Sequence, residues 1–388
     1  MGLLAFWHDN ARRCTQPRGA DDLGQARCND SRRRTRFGLG ACLILLFLAS
    51  PLSANSFQVC LFHAELGRKA PGLLYRDIKA GEASTIEAAD RIARGNCDIL
   101  GLLGFDFDHF GIALSALVDR IAEQGGSAFS YRYSKRPNTG WPSHVDLDMD
   151  GRLGTPRDAQ GYGLYSGEGG MAILSRHPIQ TASIQDYSKT VWRDLPWATL
   201  PKTESSPFLS EAALAVQRLS TTGHWVVPIE VGSRIVQLMI YHASPPVFDG
   251  PEDRNGLRNA DETLFWVHHV EETNGSDFVL LGAANLDPLQ GDGRSGAIRR
   301  LLNSPHLQDP FQDAARKDAL TVDWTDLDLG LMRTDYILPS TDFQVVAVGT
   351  IWPEATASEA SRHALIWVEL SQELNETLAA LETSGSSK

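Results

Sequence analysis

Three acids at alternate positions, Asp146, Asp148 and Asp150, followed by Gly151 at the sixth place, are spaced as the opening of a calcium loop. Hard oxygen donors suit a hard cation, and the glycine permits the sharp turn around it. The closing acid expected near the twelfth place is missing: Arg157 stands there, with Asp158 next to it. A structural calcium and a solvated acidic turn both fit this pattern. A second set of chemistry-bearing residues lies in short segments further on. His242 precedes Pro245-Pro246-Val247-Phe248-Asp249-Gly250-Pro251-Glu252-Asp253-Arg254-Asn255-Gly256. Then come Leu281-Gly282-Ala283-Ala284-Asn285-Leu286-Asp287-Pro288, Arg333-Thr334-Asp335-Tyr336 and Ser361-Arg362-His363. Histidine serves as ligand or acid–base group near neutral pH, and arginine forks onto phosphate oxygens.

Such segments need a scaffold that brings them together. Gln58 to Phe62 reads as a short apolar strand, Thr85 to Ala93 as a helix stopped by Gly95-Asn96, and Asp98 to Leu103 as a buried strand. That order predicts parallel pairing across a helical crossover. Phe110 to Glu123 reads as a helix, residues 131 to 170 as a long irregular loop, and Gly170 to Ser175 as a strand. Pro196 to Pro207 reads as a linker-like stretch. Ala212 to Ser220, Thr222 to Val227 and Ser233 to Ala243 are strand-like. Asp261 to Val270 and Gly296 to Leu302 read as helices. Phe278 to Leu281, Thr334 to Pro339, Gln344 to Val348 and Ala364 to Leu370 read as strands.

The chain has 388 residues, 42% of them hydrophobic, enough for a sizeable core. Residues 1–54 differ in kind. They hold eight arginines against four aspartates, and Arg32 to Arg36 runs into the apolar stretch Phe37 to Ala49 and then Ser50-Pro51-Leu52-Ser53-Ala54. Basic flank, short apolar run and small residues are the parts of a secretory signal. The run is too short to span a bilayer comfortably. A secreted or periplasmic protein is expected, with no stable membrane insertion after cleavage. Removing this segment takes the net charge from −12 to −16. So acidic a surface repels phosphate backbones and argues against a nucleic-acid partner. Of the five cysteines, Cys60 and Cys97 remain, either as one disulfide or as two buried thiols. The expected division is an N-terminal extension over 1–54, one domain over 55–375, and a polar tail over 376–388.

In order and spacing, the segments from His242 to His363 resemble the strand-end motifs of the endonuclease/exonuclease/phosphatase superfamily, especially its large secreted bacterial members. The resemblance runs from about Phe57 to Leu370. It implies an α/β fold, a four-layer α/β/β/α sandwich with two packed mixed sheets. It also implies hydrolysis of phosphoesters with a catalytic Mg or Mn ion held by acids. Four positions depart from the family pattern. The usual Phe-Asn of the first strand is Phe62-His63, and the glutamate ending the second strand is Gly104. Gly-Asp-x-Asn is Gly282-Ala283-Ala284-Asn285, and Ser-Asp-His is Ser361-Arg362-His363. Retained are His242, Asn285, Asp335 and His363, with Asp335 and His363 the implied orienting dyad.

Three carboxylates are thereby replaced and one permanent cation is gained. Magnesium needs carboxylate neutralisation, and alanine cannot activate water. The expectation is a pseudoenzyme whose cleft, with Arg362, His63, His242 and His363, takes a phosphate-containing ligand. The alternative is an active phosphodiesterase or phosphatase using displaced acids, Asp106, Asp108 or Asp287. His242 and His363 also read simply as buried, hydrogen-bonded histidines.

Overall fold

The apolar runs Ile99–Phe105 and Phe278–Ala283 show no alternation, as strands covered on both faces require. The computed structural model describes residues 56–204, 206–273, 277–312, 319–354 and 360–371. The expected signal segment and polar tail lie outside the described residues. The strands are β1 (Ser56–Leu66), β2 (Ile99–Phe105), β3 (Tyr131–Ser134), β4 (Gly170–Ser175), β5 (Gln185–Asp186), β6 (His224–Val231), β7 (Arg234–His242), β8 (Phe278–Ala283), β9 (Val322–Trp324), β10 (Gly330–Met332), β11 (Asp335–Pro339), β12 (Val345–Ile351) and β13 (Leu365–Ser371). The helices are α1 (Leu73–Ala80), α2 (Ala83–Gly95), α3 (Ile112–Glu123), α4 (Glu211–Val216), α5 (Arg254–Thr273) and α6 (Gly296–Leu302).

One sheet runs β12-β13-β1-β2-β4-β3 and the other β11-β8-β7-β6-β5, while β9 and β10 form a separate hairpin. Both large sheets are mixed: β1 is parallel to β2 and antiparallel to β13, and β7 is parallel to β8 and antiparallel to β6. Period-two alternation sorts the side chains into layers. Val59 and Leu61 of β1 pack between the sheets with Ile240, Leu281 and Ile337. Their neighbours Cys60 and Phe62 face α1, α2 and α3. Tyr241, Phe278 and Leu280 face α5 and α6 on the far side. The result is the expected four-layer sandwich. Among the described residues no helix is long and apolar enough to cross a membrane.

Three local readings need correction. Ala212 to Ser220 is not a strand: its first part is the helix α4, because Glu-Ala-Ala-Leu-Ala-Val are mostly good helix formers and Ser210 Oγ caps Ala213 N at 3.1 Å. The loop from 131 to 170 contains β3, an edge strand antiparallel to β4, and a 3₁₀ turn at Pro156–Asp158. The helix α1, between Gly72 and Gly81, was not foreseen.

Candidate active-site cleft and acidic loop

The inter-sheet face of each central strand runs out at one end of the sandwich, and the odd–even parity decides which residue sits there. Continuing Val59 and Leu61 by two gives His63; continuing Leu238 and Ile240 gives His242; continuing Val279 and Leu281 gives Ala283. On β11 the residue two before Ile337 is Asp335. Ala283 is paired in register with both His242 and Asp335. The sequence motifs are therefore strand ends gathered at one mouth.

The rings of His63 and His242 meet edge to face with centroids 4.6 Å apart, and those of His63 and His363 lie 4.1 Å apart. His363 Nδ1 is 2.7 Å from Asp335 Oδ2, with both side chains 2% exposed. Asp335 Oδ1 and the Nδ1 atoms of His63 and His242 are buried without a hydrogen-bond partner. Asn285, in a left-handed conformation at φ 53°, donates Nδ2 to the Ala243 carbonyl at 2.8 Å and ties the end of β8 to the end of β7. A cleft of about 290 Å³ opens above, lined by His63, Glu65, Gly67, Gly104, Glu168, Gly169 and His242. Neither Arg362 nor Ala283 lines it; Ala283 is fully buried.

Gly104 is more than an absent side chain. It has φ 66°, and a Cβ there would fall 2.7 Å from His63 Cδ2 and 2.9 Å from His63 Nε2. The His63 imidazole thus stands where a side chain at position 104 would begin. The β2 register is irregular between Leu103 and Phe105, so Leu103 faces the sheets and Phe105 the helices. This bulge ends the regular alternation of β2 just before Asp106.

Arg362 finds a partner that the sequence reading did not identify. Glu65 Oε1 accepts from Arg362 Nη2 at 2.8 Å, and Oε2 accepts the Arg362 backbone N–H at 2.8 Å. Burial pushes the Glu65 carboxyl up, but the Arg362 hydrogen bond and the nearby positive groups outweigh it and hold the carboxyl below its ordinary value. Glu65 lies two places beyond His63, in a left-handed conformation at φ 49°. The spacing of two was the available signal. Behind the turn, Arg91 of α2 is fully buried and donates to the Ser361 and His363 carbonyls and to Glu87.

The acids considered as replacements are occupied elsewhere. Asp106 accepts the N–H of Arg68 and of Gly169, both at 2.9 Å. Asp108 accepts from Phe110, Ile112 and Ala113 at the start of α3. Asp287 accepts from Leu289, Gln290 and Arg333. Magnesium takes near-octahedral oxygen ligation, usually with carboxylates. The cleft is lined by two imidazoles, His63 and His242, and by two carboxylates already engaged, Glu65 with Arg362 and Glu168 with the Leu164 N–H, a set poor in free oxygen donors for that ion.

Burial pushes the His63 ring well below its ordinary pKa, with His363, His242 and Arg362 adding repulsion. Burial likewise lowers His242 to about 4, against the pull of Asp335. His224, stacked on Trp266 with centroids 5.5 Å apart, is also lowered to about 4 by burial. A histidine depressed on folding contributes stability that is present above its unfolded value of 6.5 and lost as pH falls through about 4. Each such ring accounts for at most roughly 3 kcal/mol. Glu262 acts oppositely: burial raises it from 4.5 to about 7, so its contribution is present below 4.5 and lost above 7. Asp106, Asp148, Glu168 and Asp261 are raised as Glu262 is, but the depressed histidines together with the lowered carboxyls of Glu65, Asp77 and Asp186 outnumber them, so urea denaturation is expected to give a lower unfolding free energy at pH 4 than at pH 7. An equal or higher value at pH 4 contradicts this.

The acidic loop stands apart from the cleft. Asp146 accepts the backbone N–H of Asp150 at 3.2 Å and of Gly151 at 2.8 Å, and Gly151 has φ 81°. Carboxylate oxygens of Asp146, Asp148 and Asp158 lie within 4.8 Å of one another. Asp150 is exposed and turns one oxygen to Arg152 N, so the third acid of this group is Asp158. The Asp148 side chain is 8% exposed, with Oδ1 unpartnered and Oδ2 3.6 Å from Arg157. Burial first, then Asp150 and Asp158, push its pKa up.

A family model described as the endonuclease/exonuclease/phosphatase family matches residues 72–363. Among curated proteins none matches. Similar solved structures include a family protein from Leptotrichia buccalis (15% identity, TM-score 0.45, 81% of this chain and 99% of that one). Others come from Beutenbergia cavernae (15%, 0.48, 81% and 71%) and Bacteroides thetaiotaomicron (13%, 0.47, 82% and 98%).

Proposed function

The chain belongs to the endonuclease/exonuclease/phosphatase family, and from that premise we propose that it is an exported member without the family's magnesium-dependent hydrolysis. The observation that carries this reading is the packing of His63 against Gly104: the space for the missing glutamate is taken by a ring. Ala283, buried and without a carboxylate, supports it. The reading of an active enzyme with displaced ligands has to draw on Asp106, Asp108 or Asp287, and each already holds two or more backbone N–H groups. The test is hydrolysis of bis(p-nitrophenyl) phosphate by the mature protein with magnesium, manganese or calcium, beside His363→Ala. Turnover equal to that of the variant is expected. Metal-dependent turnover abolished by His363→Ala would sink the proposal.

Arg362 does not line the cleft and its guanidinium is held by Glu65, so it could reach a phosphate-type ligand there only on release. Anion binding therefore requires that pair to open, and Glu65→Gln is the variant in which it would strengthen.

The acidic loop offers a structural calcium the unpartnered Asp148 Oδ1, with Asp146 and Asp158 beside it, each of which already accepts two backbone N–H groups. Calcium at a hundred times its Kd stabilises a folded protein by about 2.7 kcal/mol. A corresponding rise in thermal midpoint is expected for the native chain and not for Asp148→Asn. An equal rise in both places the ion elsewhere.

A further inference from the structure

With acids replaced by Gly104, Ala283 and Arg362, and His63 added beside the retained His242 and His363, the cleft changes which metal it would prefer rather than merely losing one. We propose that its floor binds one imidazole-preferring divalent transition-metal ion through His63, His242 and His363, with Asp335 orienting His363. The inference rests on the proposed function in one respect: magnesium is not the resident ion.

Each ring brings a donor. His363 engages Asp335 through Nδ1, which leaves Nε2 as its ligand atom. A metal-bound histidine commonly donates its other nitrogen to a carboxylate in this way, which fixes tautomer and ring orientation. His63 and His242 each keep a buried Nδ1 with no hydrogen-bond partner. An unsatisfied buried polar atom costs about 1–3 kcal/mol, and three imidazoles packed against one another are a costly way to fill space that leucine could fill. The rings stand close enough to converge, with centroids 4.6 and 4.1 Å from His63.

The distances are those of a site that tightens on loading. Ligand atoms of His63, His363 and Asp335 lie within 4.8 Å of one another. Tetrahedral nitrogens at 2.0–2.1 Å from zinc sit roughly 3.4 Å apart. For His63 and His363 the closure is at most about 1.5 Å; His242 stands outside this group and joins it through its ring contact with His63, centroids 4.6 Å apart. His63 and His242 line the cleft, so an ion has a path from solvent.

Charge permits it as well. Arg362 alone would repel a cation, but Glu65 pairs with it at 2.8 Å, and Asp326 lies 3.6 Å from its other nitrogen. Neutral imidazole ligands favour zinc, copper and nickel over magnesium, whose ligands are carboxylate, carbonyl and water. Ordinary packing of three histidines is the competing explanation, and it predicts no stoichiometric ion.

The test uses tag-free mature protein stripped with a chelator and titrated with Zn²⁺ by calorimetry and with Co²⁺ by visible absorption. One ion per chain is expected, with affinity at least tenfold above that for Mg²⁺ and a Co²⁺ spectrum of low coordination number. His63→Gln and His363→Gln should each weaken zinc at least tenfold, while Asp148→Asn in the acidic loop leaves it unchanged. His63 borders the open cleft, so its variant carries the test should His363→Gln fail to fold. Absence of a stoichiometric ion, or zinc binding unchanged in His63→Gln, overturns the inference. The two proposals fail separately: magnesium-dependent turnover ends the reading of lost hydrolysis, whereas the zinc titration is read without any substrate.

Discussion

Reducing the Cys60–Cys97 disulfide is expected to cost the fold about 4 kcal/mol, the value for a loop of this size in the chain-entropy picture. The bridge spans 37 positions, joining the middle of β1 to Cys97, two residues past the end of α2, and both cysteines are fully buried. It pins the first helix-layer crossover to the sheet, so the unfolded chain without it regains the freedom of that whole segment. The measurement is urea denaturation of the same protein, oxidised and reduced, with the slope checked for constancy. A difference below about 1 kcal/mol would mean that the reduced unfolded chain is already held compact there.

The second large effect belongs to Gly104→Glu. A side chain at φ 66° incurs strain of order 1–3 kcal/mol, and its Cβ overlaps the His63 ring at 2.7 Å and approaches Glu65 N at 3.2 Å. The single variant is expected to lose about 2–4 kcal/mol of stability. His63→Asn in the same chain should recover the part due to overlap and none of the part due to the backbone. A double-mutant cycle then gives a coupling of at least about 1 kcal/mol. Additive single effects would separate the two positions and remove the main support for treating His63 and Gly104 as one coupled change.

How much of this was legible beforehand follows from range. The strand-end segments could be read because each is local: His242 ends an apolar run, and Ser361-Arg362-His363 precedes one. The four-layer fold followed from the resemblance, and the sheets bear it out. What escaped depends on partners far away or on backbone detail. Glu65 and Arg362 are 297 positions apart, and no local pattern joins them. The bulge at Gly104 breaks the alternation of β2 between Leu103 and Phe105, which no local pattern announces. Asp158 joins Asp146 and Asp148 through the turn at Pro156–Asp158, whose capping box has Thr155 and Asp158 bonding each other's backbone N–H. The strand expected over Ala212 to Ser220 fails because two conformations share that stretch: the chain leaves the helix α4 at Gln217.

Arg91 carries a consequence for what persistence of a motif means. Its buried guanidinium holds the carbonyls of Ser361 and His363, stacks over the Phe62 ring at 4.8 Å and is balanced by Glu87. Loss of Arg91 would leave those carbonyls without a donor inside the protein and Glu87 without its cation, a defect in folding whatever the cleft does. Selection for a folded chain is therefore enough to preserve the backbone path of the last motif, whether or not its chemistry remains. A lineage freed from catalysis would still look, at this turn, like one that was not.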